Sequence, residues 1–125
     1  MRILLVDDEP LVLRSYARLL RASGGCEVVC ASGGAEALAQ LEGERAFDLM
    51  LCDLAMPAID GIAVHRSVCE SHPELAGRFA FLTGGVLDAA SDRYLAESGA
   101  MVLVKPVRQE ELEKLIARAA PRSIE

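Results

Sequence analysis

The chain has 125 residues, enough for one domain that buries roughly two-thirds of its unfolded surface and needs no disulfide or metal to fold. Its hydrophobic content of 52%, with 26% charged residues, is that of an ordinary soluble globular protein. Nineteen acidic against 13 basic residues leave a net charge of −6, which argues against a nucleic-acid-binding surface and suits a cation site or basic partners.

No apolar stretch approaches the roughly 18 residues that a membrane span needs. Met1-Arg2 leads directly into a strand pattern, with no signal-peptide character, so the expected location is the cytoplasm. Cys26, Cys30, Cys52 and Cys69 show no C-x-x-C spacing, and four free thiols are expected.

Ile3 to Val6 reads as a buried strand that ends in Asp7-Asp8-Glu9. Pro10 suits the first turn of a helix, and the acids before it complement the helix dipole. Val12, Tyr16, Leu19 and Leu20 recur at helical spacing until Gly24-Gly25. Glu27 to Ala31 is a shorter, mixed run that predicts a peripheral strand. Ser32-Gly33-Gly34 opens a second helix through about Leu41, with Leu38 and Leu41 inward and Gly43 as its end. Leu49 to Cys52 is apolar without alternation, as in a strand buried on both faces, and stops at Asp53. After the turns at Pro57 and Asp60-Gly61, a third helix is predicted from Ile62 to about Ser71, ended by Pro73. Phe79 to Leu82 is the fourth strand, ending in Thr83-Gly84-Gly85. A fourth helix over about Asp88 to Ser98 stops at Gly99, and Met101 to Val104 is a last strand ending in Lys105-Pro106. Leu112, Leu115, Ile116 and Ala119 mark the final helix, with Pro121 ending it. His65 and His72 read as surface helix residues with no relay role.

Strand and helix alternate throughout, which predicts an α/β fold: a parallel sheet with helices on both faces. In such a sheet the strand ends share one edge, where ligands bind. That edge would collect Asp7, Asp8, Asp53, Thr83 and Lys105 from four strands. Two carboxylates about 4 Å apart repel by about 4 kcal/mol at an effective dielectric near 20. Such a cluster requires a cation or bound protons. Oxygen ligands without His or Cys select a hard ion such as Mg²⁺. Lys105 can neutralise a phosphate oxygen and Thr83 can donate to another. Asp53 is then a nucleophile able to accept a phosphoryl group.

From Ile3 to about Ala119 the chain resembles the receiver domains of two-component response regulators. The resemblance rests on the Asp7-Asp8 pair, Asp53-Leu54-x-Met56-Pro57-x-x-Asp60-Gly61, Thr83 and Lys105-Pro106. It implies a flavodoxin-like (βα)5 sandwich with strand order 2-1-3-4-5, a receiver domain over 1–120 and a short tail or linker start over 121–125. It also implies phosphotransfer to Asp53 from a phosphohistidine on a histidine kinase or histidine phosphotransfer domain. Mg²⁺ would be held by Asp8, Asp53 and the backbone carbonyl of Ala55, with Asp7 acting mainly through water. The Lys105-Pro106 bond would be cis. Nucleic-acid binding and membrane insertion are not expected. Two copies could associate through the fourth helix, last strand and final helix. Self-catalysed phosphorylation and slow dephosphorylation make it a signalling domain rather than an enzyme.

Several positions depart from the pattern. Ala55 and Gly85 carry no polar side chain to hold or block water near the aspartyl phosphate. Val102 stands where many receivers carry a Tyr or Phe that moves with Thr83. Leu82-Thr83-Gly84-Gly85 resembles the receivers of hybrid sensor kinases. The chain is either a single-domain regulator or the receiver of a longer protein. A Mg²⁺-dependent phosphatase of the haloacid-dehalogenase type, with Asp7 as nucleophile and Glu9 as the second acid, is the enzymatic alternative, although a cap or insertion is missing. A pseudo-receiver that binds partners without phosphorylation is a third reading, opposed by the intact set of site residues. A flavodoxin is opposed by the lack of a Ser/Thr/Gly phosphate loop after the first strand.

Overall fold

A computed structural model describes residues 1–43, 45–85 and 87–119. Five strands, β1 (Arg2–Val6), β2 (Glu27–Ala31), β3 (Leu49–Asp53), β4 (Phe79–Thr83) and β5 (Met101–Val104), form one sheet of order β2-β1-β3-β4-β5. All the pairings are parallel. The helices are α1 (Pro10–Ala22), α2 (Gly34–Leu41), α3 (Gly61–Ser71), α4 (Pro73–Ala76), α5 (Ala89–Ser98) and α6 (Gln109–Ala119). The Pro121 stop and the 121–125 tail lie outside the described residues, as does the 1–120 boundary. Within those residues no helix is long and apolar enough to cross a membrane, and all four cysteines are free.

The unalternating strands are explained by two cores, one on each face. Leu4, Val6, Met50, Cys52, Phe79 and Phe81 face α2, α3, α4 and α5. Ile3, Leu5, Leu49, Leu51, Ala80 and Leu82 face α1 and α6. Successive residues of a strand point to opposite faces, so a strand covered on both sides must be apolar at every position. β2 and β5 are the edges, and their burial is correspondingly patchy.

Two sequence expectations require correction. Pro73 does end α3, at His72, but it also occupies the first turn of α4, which carries Leu75 into the core. The helix expected from Asp88 is therefore α5, with Asp88 as its N-cap, its carboxylate accepting from the Ser91 amide at 2.7 Å. His65 is not a surface residue: it is 4% exposed. Its ring packs against both Phe79 and Phe81, and its Nδ1 lies 2.6 Å from the Tyr94 hydroxyl. His72 is half-buried, with Nε2 3.0 Å from the Leu41 carbonyl.

The loop between β3 and α3 contains a strained residue. Ala58 has φ 64°, and the Ile59 amide donates to the Pro57 carbonyl at 2.8 Å, a γ-turn. Holding a non-glycine residue there costs about 1–2 kcal/mol, whereas glycine loses about 0.5–1 kcal/mol more chain entropy on folding. Ala58→Gly is therefore expected to stabilise the protein by about 0.5–1 kcal/mol, seen as a melting temperature higher by about 2–4 °C.

Candidate functional site

Strand order and register bring the acidic residues together. Val6 pairs with Cys52, so the next residues, Asp7 and Asp53, leave adjacent strands at the same level. They share a parity with Leu5 and Leu51, and so leave on the same face. Neighbouring strands lie about 4.8 Å apart. Asp8 completes the cluster: one carboxylate oxygen from each of Asp7, Asp8 and Asp53 lies within 4.8 Å of the others. Asp7 is fully buried, Asp53 is 6% exposed and Asp8 is half-buried.

Lys105 follows β5 and reaches these acids across the end of β4. Its Nζ is 2.8 Å from Asp7 Oδ2 and 3.2 Å from Asp53 Oδ1. Its amide donates to the Thr83 carbonyl at 2.7 Å, and the Lys105-Pro106 bond is cis. The other Asp7 oxygen, Oδ1, accepts from the Glu9 amide at 2.9 Å. Thr83 ends β4 one residue beyond Leu82, the partner of Asp53, and is buried. Its side chain belongs to the α5 face, where it lines a cavity of about 450 Å³ with Leu87, Leu95 and Val102. Ala55 and Gly85 are both exposed.

The loop after Asp53 folds back tightly. The Gly61 amide donates to the Leu54 carbonyl at 2.9 Å. A methyl group on Gly61 would lie 2.5 Å from the Asp53 carbonyl oxygen. Asp60 then caps α3 by accepting from the Ala63 amide at 2.9 Å.

The electrostatics are those of crowded carboxylates. Burial, then the Asp7 charge and more weakly that of Asp8, raise the Asp53 pKa, with Lys105 opposing them. Burial works against the Lys105 charge, but the hydrogen bond to Asp7 and the two carboxylate charges outweigh it, and its pKa is raised. One ammonium facing three carboxylates leaves uncompensated negative charge. An all-oxygen donor set of this kind fits a hard divalent cation such as Mg²⁺.

The contact of His65 with Tyr94, which ties α3 to α5, is not foreshadowed by any motif in the sequence. Its helical spacing with Gly61, Val64 and Val68, all buried, was the available signal. Tyr94 is thereby engaged on the α3 side, and Phe81, which pairs with Val102, is fully buried. Val102 is itself 40% exposed.

A parallel sheet of this order with helices on both faces defines a flavodoxin-like α/β domain of the CheY type. The chain belongs to the response regulator receiver family: the model of the response regulator receiver domain matches residues 3–117. It is thus a receiver domain of two-component phosphorelay signalling. It is 35% identical to the positive alginate biosynthesis regulatory protein of Pseudomonas aeruginosa, over 96% of this chain and 47% of that protein. It is 30% identical to the sensor protein TorS of Escherichia coli, over 94% of this chain and 12% of that protein. These relatives are longer, and the chain spans less than half of either. The response regulator receiver protein CpdR of Brucella abortus is 34% identical, with 94% of this chain and 98% of that protein covered. Among solved structures, a receiver domain protein from Clostridium thermocellum superposes with a TM-score of 0.81 at 30% identity, covering 94% of this chain and 92% of that one. The Vibrio cholerae chemotaxis protein CheY4 does so with 0.81 at 28% identity, covering 95% and 98%.

The raised Asp53 pKa has a sign that can be checked. A raised folded-state pKa favours folding below the unfolded value, and that advantage is lost as pH rises through the folded value. At neutral pH without divalent cations, Asp53→Asn is therefore expected to melt above the parent protein. The gap should close as pH falls through the Asp53 pKa into the ordinary Asp range. Thermal melts in chelator across this range read it; a gap that widens on acidification would contradict it.

Proposed function

We propose that Asp53 accepts a phosphoryl group from a phosphohistidine, on a histidine kinase or a histidine phosphotransfer domain, in a Mg²⁺-dependent reaction. The observation that carries this reading is the position of Asp53: at the end of a buried strand, against Lys105 and facing two further carboxylates. An Asp53 oxygen attacks phosphorus, the P–O bond forms and the P–N bond to the imidazole breaks, the electron pair leaving with the ring nitrogen. Lys105 neutralises a phosphoryl oxygen, and the Thr83 hydroxyl donates to another. Asp8, Asp53 and the carbonyl of Ala55 would hold Mg²⁺, with Asp7 acting mainly through water. When bound, the ion supplies the positive charge that offsets both the carboxylates and the phosphoryl oxygens.

The phosphatase reading requires Asp7 to be the nucleophile. Asp7 is fully buried and both its oxygens are engaged, by the Glu9 amide and by Lys105, while Glu9 is exposed. These contacts argue for Asp7 as a support and for Asp53 as the acceptor. The chain then acts as a signalling domain that changes its surface for a partner, without turnover of a substrate. The face formed by α5, β5 and α6, where Val104 is 62% exposed, is our candidate for that surface and for an association of two copies. The acidic balance opposes nucleic-acid binding by this domain.

Incubation with acetyl phosphate and Mg²⁺ is expected to add one phosphate to the intact mass of the parent and none to Asp53→Asn. An adduct that persists in the variant would overturn the assignment. In calorimetric titrations, Asp8→Asn should lose more Mg²⁺ affinity than Asp7→Asn, because Asp7 is occupied by Lys105 and the Glu9 amide.

The readout should be muted at β5. A valine is short and stiff at χ1. At about 25 cal/mol per Å², its movement shifts a two-state equilibrium less than an aromatic would. Amide chemical shifts with beryllofluoride and Mg²⁺ are expected to change strongly at Thr83 to Gly85 and weakly over Met101 to Val104 and α6. Equal changes in both regions would refute this.

A further inference from the structure

The connection from β2 to α2 touches both walls of the site. At its start, the Ala31 carbonyl accepts from the Asp7 amide at 3.2 Å. At its end, buried Gly34 stands against Ile59, in the loop that follows Asp53. A methyl group on Gly34 would lie 2.6 Å from the Ile59 carbonyl oxygen and 2.7 Å from its Cβ and Cγ2. Carbon atoms in van der Waals contact stand about 3.5–4 Å apart. The approach is therefore open to glycine alone, and because it involves the Ile59 backbone, no rotamer change relieves it.

Ile59 is one of the points at which this loop is held. Ala55, Pro57 and Ala58 are exposed, whereas Met56 is buried and Ile59 packs against the core beneath α2 and α3. Next to Ile59, Ala58 is already at positive φ with its turn closed by the bond from the Ile59 amide to Pro57. A displaced Ile59 has little slack beside it. Asp60, which caps α3, follows Ile59 directly, and Ala55 lies four residues before it in the same loop.

We propose that Gly34 is a positioning residue for the cation and phosphoryl site: its missing side chain sets where Ile59 sits, and through Ile59 where the Ala55 carbonyl stands relative to Asp53. This inference rests on the assignment above of Asp8, Asp53 and the Ala55 carbonyl to Mg²⁺. Gly34 acts from another helix and touches neither the ion nor the phosphoryl group.

The test is calorimetric titration of Mg²⁺ into the parent, Gly34→Ala, Gly33→Ala and Ile59→Ala, with thermal melts of each in chelator. A methyl on Gly33 meets nothing within 4 Å, so Gly33→Ala should match the parent. Gly34→Ala should still melt cooperatively, bind Mg²⁺ about tenfold more weakly and show displaced Ala55 and Met56 amide shifts before Mg²⁺ is added. Ile59→Ala adds no atoms and should fold; loss of the anchor should weaken Mg²⁺ in the same direction by less. Parent-like affinity in folded Gly34→Ala and in Ile59→Ala overturns the inference while leaving the Mg²⁺ site standing. If Gly34→Ala does not fold, Ile59→Ala decides alone, and parent-like affinity there overturns it. Absence of Mg²⁺ binding by the parent removes the underlying reading, and this inference with it.

Discussion

Lys105 extends across the end of β4 to two carboxylates that arrive from two other strands, Asp7 at 2.8 Å and Asp53 at 3.2 Å. Like charges at this spacing, largely out of water, are costly to hold. A single ammonium offsets part of that cost and leaves Asp8 and the remaining negative charge to be met from solution. The sheet edge is therefore incomplete by charge. That incompleteness is what the proposed site rests on: the three carboxylates could hold a divalent cation, whose charge would offset theirs.

Such crowding persists because the scaffold beneath it is rigid. β1, β3 and β4 are covered on both faces, and their residues pack into two cores with little exposure. Side chains at the strand ends inherit that rigidity. The loops that complete the edge are short and held by specific devices: the Gly61 amide on the Leu54 carbonyl, the Asp60 cap on α3, the γ-turn at Ala58 and the seat of Ile59 on Gly34. The strain at Ala58 lies in the loop beside the site, not in the cores, as local conformational cost in functional proteins commonly does.

The outward side of the domain is looser. Val102 and Val104 on the edge strand are exposed, and the cavity between β5 and α5 opens beside Thr83. On its other side α5 is tied to α3 through Tyr94 and buried His65, with Arg66 stacked over the Tyr94 ring. α5 is therefore fastened on its α3 side and borders a cavity on its β5 side. This asymmetry leaves the β5 side of α5 less tightly held than its α3 side.

The alternation of elements, the parallel sheet and the strand-terminating residues were legible in the order of the amino acids. An apolar run that stops at an acid is a local pattern, and burial on both faces leaves no other composition for a central strand. The resemblance carried by Asp7-Asp8, Asp53, Thr83 and Lys105-Pro106 supplied the strand order, which no local pattern contains. Tertiary structure alone decided the rest. That β3 lies beside β1, which sets Asp7 level with Asp53, is a property of the sheet and not of either segment. His65 looked like a surface residue because its polarity outweighed its helical spacing, and the Tyr94 that satisfies it lies 29 positions away. Pro73 read as a stop, since a helix breaker and a first-turn proline are the same residue until the next turn is seen to bury Leu75. Gly34 read as a helix opener, because the need for glycine there comes from the carbonyl of Ile59, and a close approach between distant backbones leaves no trace in the order of the residues.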